Sequence, residues 1–238
     1  MATPRGAGTR KKSKAPTGAG RSGGGRAKQA ARVAQIVAGL ERMYPEAECE
    51  LTFGTPFQLL VATILSAQCT DKLVNQVTPS LFARFPDAPA MAGADVAEVE
   101  KLVSRTGFFR VKARNIVATA QALMLDHAGE VPRSMDALIN LPGVARKTGN
   151  VVLGTAYGMN EGIAVDTHVA RLSARLGLST ETDPKKIEQD LLALLPRDKW
   201  TQLGHQIIWH GRRVCQARKP ACGECPLAPL CPSAEQGA

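Results

Sequence analysis

From residue 29 onward the apolar positions of this chain return at intervals of three and four, with little of the period-two alternation that half-buried strands require. Val33, Ile36, Val37 and Leu40 fall on one face of a helix expected over residues 28 to 43. "PFQLLVATILSAQ" opens at Pro56, whose fixed φ and missing N–H suit the first position of a second helix. "DVAEVEKLV" pairs Asp95 with Glu98 three residues on, the pattern of a capping box. "RVKARNIVATAQALMLDHAG" then carries helical spacing to a glycine stop. Asp183 followed by Pro184 opens "PKKIEQDLLALL", and "WTQLGHQIIWHGRRVC" reads as the last long helix. The expected fold class is all-α.

The first residues break this pattern. Residues 1 to 28 hold Arg5, Arg10, Lys11, Lys12, Lys14, Arg21, Arg26 and Lys28, no acidic residue, and many Gly, Ala and Ser. Such a segment buries too little apolar surface to fold alone, so a disordered basic tail is expected over 1-28. Its charge attracts phosphates without reading sequence; the plainer reading is a solubilising extension. Without these eight cations the formal net charge falls from +9 to about +1, so a nucleic-acid face on the body must be local. With 238 residues and 44% hydrophobic content, the chain can build one large domain or two small ones. No apolar stretch has the form of a secretory signal, and the longest, near "LLVATILSA", is too short to cross a bilayer, so no membrane partner is expected.

Four of the six cysteines crowd the C-terminus as C-x6-C-x2-C-x5-C: Cys215, Cys222, Cys225 and Cys231. With nothing to suggest export, metal ligation is the stronger reading than disulfides. Four thiolates without histidine suit an iron-sulfur cluster or a zinc ion, and the spacing alone leaves both open. Cys49 and Cys69, each isolated in an expected helical segment, read as small buried side chains.

A second feature is the stretch "LPGVARKTGN", where a Leu-Pro-Gly turn precedes Lys147 and an apolar run. The first helical turn carries partial positive charge and free N–H groups, which suit an anion and disfavour an ammonium ion. Either Lys147 leans away to a phosphate, or its neutral form is what the site uses.

Taken in order, "DALINLPGVARKTGNVV", "VDTHVARLSARLG" and the four-cysteine array resemble the endonuclease III family of base-excision DNA glycosylases and abasic-site lyases. "ILSAQCTDKLVNQVTP" and "GFFRVKARNI" extend the likeness over roughly residues 30 to 232. The resemblance implies a bilobed helix-hairpin-helix DNA glycosylase fold. A six-helix bundle lobe would occupy 50-160 with the hairpin at about 136-156, and an iron-sulfur-cluster lobe would combine 29-49 with 161-238. It implies one 4Fe-4S cluster on the four cysteines, and a monomer acting on double-stranded DNA with damaged bases or abasic sites in the bacterial cytoplasm, at the nucleoid.

The resemblance also assigns roles. Lys147 would attack C1′ of an oxidised pyrimidine nucleoside and form a Schiff base, with β-elimination then breaking the strand 3′ to the abasic site. Asp166 would deprotonate Lys147 or stabilise charge on the sugar; read alone it is a helix N-cap. Extruding a base leaves a gap. Gln68 matches the family residue that fills it, and Phe108 stands where the family carries a leucine wedge. Leu141, Gly143, Val144 and Ala145 would offer backbone to DNA phosphates, His168 would contact a phosphate or pack behind the site, and Arg218 and Lys219 would meet DNA from the loop between the first two cluster cysteines. Two rival readings are a related adenine-mismatch glycosylase, which lacks a lysine at the position of Lys147, and a non-catalytic helix-hairpin-helix DNA-binding module.

Overall fold

The computed structural model describes residues 23–234, and no strand occurs among them. Eleven α-helices follow one another: α1 Gly23–Met43, α2 Pro56–Ser66, α3 Asp71–Arg84, α4 Ala88–Ala92, α5 Val96–Val103, α6 Phe109–Asp126, α7 Met135–Ile139, α8 Arg146–Tyr157, α9 Thr167–Arg175, α10 Pro184–Leu194 and α11 Trp200–Arg213. Short 3-10 turns at Arg197–Lys199, Cys222–Glu224 and Ala228–Leu230 complete the chain. The expected tail lies mostly outside the described residues, but its last part is helical: α1 starts at Gly23, five residues before position 28. Arg26 and Lys28 project from its exposed first turns.

The side chains bury themselves in two separate cores. One gathers residues between Leu51 and Leu153 from α2 to α8; the other joins α1 to α9, α10, α11 and Leu227 of the C-terminal loop. At the centre of the first core, Leu59, Leu60, Val61, Ala62 and Leu65 of α2 are fully buried. Burial of each of these leucines stabilises the fold by about 1.5–3 kcal/mol. Caps fix where the helices begin. Thr55, Thr70, Asp87, Ser134 and Asp183 each accept a backbone N–H at an N-terminus.

Three local expectations are corrected. Asp95 does cap α5 through Ala97 N, but Glu98 does not close a reciprocal box, because it turns away to an ion pair with Arg84 at 2.7 Å. The helix α6 ends at Asp126, three residues short of its glycine, and Gly129 (φ 82) returns its N–H to Leu123 at 2.9 Å. Cys49 and Cys69 are not helical and are only half-buried; both lie in connecting segments.

Candidate active site

The two lobes meet at a cleft of about 730 Å³ whose walls include Gln68, Lys147, Asp166, His168, His205 and Trp209. Its geometry depends on polar clasps between the lobes. Glu188 of α10, almost fully buried, accepts from Arg146 Nε at 2.9 Å and from Asn150 Nδ2 at 2.8 Å, both on α8. Asn150 Nδ2 also donates to Ile163 O at 3.2 Å, three residues before Asp166. The Glu188 carboxylate raises the Arg146 pKa through its hydrogen bond. Across the cleft, Arg212 of α11 donates to Asp71 of α3 at 2.7 Å and pairs with Glu50. These ties fix where α8 and α9 begin, and those two ends carry the candidate chemistry.

Lys147 is exposed in the first turn of α8, whose N-cap Ala145 offers no side-chain bond and which has no acidic residue beside it. No ion pair engages Lys147 among the described residues. The preceding turn needs its glycine: Gly143 has φ 74, and a Cβ there would meet Asn115 atoms at 2.7 to 3.0 Å. Thr119 Oγ1 holds the turn through Pro142 O at 2.6 Å. Leu141 and Val144 point into the core, and their N–H groups already donate to Leu138 O and Leu141 O, each at 3.1 Å. The exposed Gly143 and Ala145 N–H groups have no such partner among the described residues and remain for an anion.

Asp166 is the N-cap of α9, where Oδ1 accepts from the N–H groups of His168 and Val169, both at 2.8 Å. Oδ2 makes no hydrogen bond among the described residues, so one carboxylate combines a cap with an unengaged oxygen in the cleft wall. His168 Nδ1 sits 3.2 Å from Arg171 Nη2. Burial lowers the His168 pKa, with Arg171 and Arg212 acting in the same direction and Asp166 and a hydrogen bond with the Gly211 backbone opposing.

Gln68 and Phe108 share an unusual backbone. Neither is glycine, yet both have left-handed φ, 51 and 57, a conformation that costs on the order of 1–3 kcal/mol each. Gln68 lines the cleft, while Phe108 protrudes with 68% of its surface exposed. Arg218 and Lys219 are exposed on the loop between Cys215 and Cys222 and do not line the cleft. That loop is anchored by Arg175, which donates to Gln216 O and Ala217 O, both at 2.8 Å.

Cys215, Cys222, Cys225 and Cys231 line one pocket together with Arg175 and His210. Arg175 Nη1 donates to Cys215 Sγ at 3.2 Å, and His210 Nε2 lies 3.5 Å from Cys225 Sγ. Burial raises the Cys225 pKa, and the adjacent thiols of Cys215, Cys231 and Cys222 push it the same way. A soft, all-sulfur donor set with hydrogen-bond donors aimed at it fits an iron-sulfur cluster.

A family model described as HhH-GPD superfamily base excision DNA repair protein matches residues 61–197. A second, the iron-sulfur binding domain of endonuclease III, matches residues 215–231. Endonuclease III of Synechocystis sp. is 56% identical over 204 residues, 86% of this chain and 93% of its own length. The chain belongs to the endonuclease III family.

Endonuclease III of Escherichia coli K12 is 41% identical to it, over 83% of this chain and 93% of the relative. A solved structure of a trapped endonuclease III–DNA covalent intermediate superposes with a TM-score of 0.81 at 41% identity, covering 86% of this chain and 97% of that one. A non-covalent endonuclease III–DNA complex gives 0.83 at 40% identity, covering 87% and 97%. This protein is thus a DNA-binding enzyme of base excision repair, a DNA glycosylase and abasic-site lyase that carries a 4Fe-4S cluster. No helix among the described residues is long and apolar enough to cross a membrane.

Sequence reasoning passed over Arg146, Asn150, Glu188 and Arg212, the four side chains that lock the lobes around the cleft. Asn150 carried a signal, being a polar residue on the inward stripe of a helix; Glu188 reads like any charge in "PKKIEQD".

Proposed function

We propose that this enzyme excises oxidised or ring-saturated pyrimidines, with Lys147 as nucleophile and Asp166 as its carboxylate partner. The observation that carries the reading is that Lys147, at the start of α8, and Asp166, with one carboxylate oxygen unengaged, face the same cleft. The Lys147 amine adds to C1′ as the bond from C1′ to the base breaks, and the departing base takes up a proton. Asp166 receives the proton that Lys147 loses and opposes the positive charge that grows on the sugar. The C1′–O4′ bond of the resulting aminal then breaks as O4′ takes back the proton from Asp166, which opens the sugar to a protonated Schiff base; this acidifies C2′, and loss of a C2′ proton expels the 3′ phosphate. Hydrolysis of the imine then frees Lys147.

The other residues make this chemistry reachable. The free N–H groups of Gly143 and Ala145, with the first turn of α8, bind a backbone phosphate without reading sequence. Leu141 and Val144 serve from beneath as the apolar footing of the turn. Gln68 and Phe108 enter the duplex beside the extruded nucleotide. Arg218 and Lys219 add phosphate contacts, and His168, tied to Arg171, packs behind Asp166. The cluster, when bound, cross-links the C-terminal loop that presents those two cations. The enzyme acts as a monomer on double-stranded DNA in the cytoplasm, at the nucleoid.

The test is base release from duplexes bearing thymine glycol, other oxidised pyrimidines, 8-oxoguanine, or adenine opposite guanine. Release confined to the pyrimidine lesions, and strongly slowed by Asp166→Asn, is the expected result. Preferential release of adenine from the mismatch would overturn the assignment.

A further inference from the structure

Strained backbone at both DNA-inserting residues raises the question of what holds it. Such conformations persist only where the surroundings over-determine them. The Gln68 turn follows the C-terminus of α2, and Phe108 is the residue that caps α6 without a side-chain bond. The two turns lie side by side: a Cβ built on Gly107 would reach to 3.5 Å from Gln68 O. One residue ties the Phe108 turn to the helix that leads into the Gln68 turn. Lys112, in the first turn of α6, donates its backbone N–H to Phe108 O at 3.1 Å. Its side chain, only 5% exposed, runs beneath the surface to α2 and donates from Nζ to Leu65 O at 2.8 Å, three residues before Gln68.

Stability alone does not account for a cation there. Lys112 has no carboxylate partner among the described residues, and burial lowers its pKa from the ordinary lysine value, with the Cys69 thiol opposing. A methionine would fill a similar volume without desolvating a charge. What the ammonium adds is directional. It satisfies one of the four carbonyls that the end of α2 leaves orphaned, at the negative pole of that helix, and it does so from the helix that Phe108 caps.

We propose that Lys112 is a positioning residue for base extrusion, a buried cross-brace that sets the Gln68 turn against the Phe108 turn so that both side chains enter the duplex from one rigid platform. The proposal rests on the reading of Gln68 and Phe108 as inserting residues. Lys112 touches neither DNA nor the reacting atoms. Loosening the brace lets each turn relax out of its left-handed conformation, and the loss is felt only where a base must be pulled from a stable pair.

The experiment compares the holoenzyme with Lys112→Met, Lys112→Gln, Gln68→Ala and Phe108→Ala. Two readouts are taken: single-turnover base release from a lesion in a paired duplex against the same lesion opposite a mismatched base, and the fluorescence rise of 2-aminopurine next to the lesion. Extrusion costs least at a weakened pair. Lys112→Met is expected to lower the paired-to-mismatched rate ratio roughly tenfold, since a hydrogen bond to a charged group is lost, and to blunt the fluorescence rise. Lys112→Gln, which keeps an N–H donor, falls between it and wild type. Should Lys112→Met not fold, the ratio for Lys112→Gln decides. An unchanged ratio in the folded variants, or equal losses on both substrates, overturns the brace. If Gln68→Ala and Phe108→Ala both extrude like wild type, the inserting roles themselves fail. A defect in those two with none in the Lys112 variants sinks the brace alone.

Discussion

Replacing Glu188 by Ala removes the acceptor at the centre of the clasp between α8 and α10, and the structure sets the size of the loss. Asn150 is 4% exposed and gives up a 2.8 Å bond to a carboxylate. A hydrogen bond to a charged group is worth about 1.5–3 kcal/mol. Asn150 Nδ2 then keeps only its longer, 3.2 Å bond to Ile163 O, and no water reaches the buried amide to replace the lost acceptor. Arg146 loses less: its side chain is 44% exposed, so water replaces much of the ion pair, and only about 0–1 kcal/mol goes with it. Loss of the buried Cγ methylene adds about 0.8 kcal/mol. The sum is roughly 2–5 kcal/mol, and a fold of this size loses about 2–4 °C of Tm per kcal/mol, so Tm should drop by roughly 5–20 °C. Glu188→Gln keeps the volume and an amide oxygen for Asn150, and its loss should stay near about 1 kcal/mol. Thermal unfolding of the holoprotein by circular dichroism, with cluster absorbance followed in parallel, makes the comparison. Glu188→Ala as stable as wild type, or Glu188→Gln as damaging as Ala, would refute the clasp.

Replacing Arg218 and Lys219 together by Ala should lower the magnitude of the log-log salt slope of DNA binding by about one to two and leave metal content unchanged; an unaltered slope in a fluorescence-anisotropy titration would mean that the loop does not touch phosphate. Burial depresses the His205 pKa, so the unfolded chain takes up the proton first as the medium is acidified. The stability that His205 contributes is therefore present above its ordinary pKa of 6.5 and is lost as pH falls below it. Urea unfolding at a series of pH values should show a shallower acid limb in His205→Asn than in wild type, and identical limbs would assign the acid loss elsewhere.

How much of this was written in the sequence depends on the range of the interaction. Pro56, Asp183 with Pro184, and the 33-36-37-40 stripe act within one or two turns, and α2, α10 and α1 formed where those signals lie. Glu98 failed as a box partner because a residue on another helix, Arg84, competed for it. That Lys147 and Asp166 share one cleft was legible because motif order stands in for spatial closeness. Glu188 and Lys112 were not, since burial by the opposite helix, absent from any local pattern, turns an ordinary surface charge into a clasp or a brace. The left-handed backbone at Gln68 and Phe108 was equally hidden, because nothing in a glutamine or a phenylalanine announces positive φ.

Borohydride reduction of the enzyme on abasic duplex DNA, followed by peptide mapping, tests the catalytic assignment most directly. One covalent adduct is expected on the peptide containing Lys147, with its loss in Lys147→Gln and abasic-DNA binding by that variant within a few-fold of wild type, because the Gly143 and Ala145 N–H groups remain. An adduct that persists at the wild-type level in Lys147→Gln, or that maps to another amine, would contradict it.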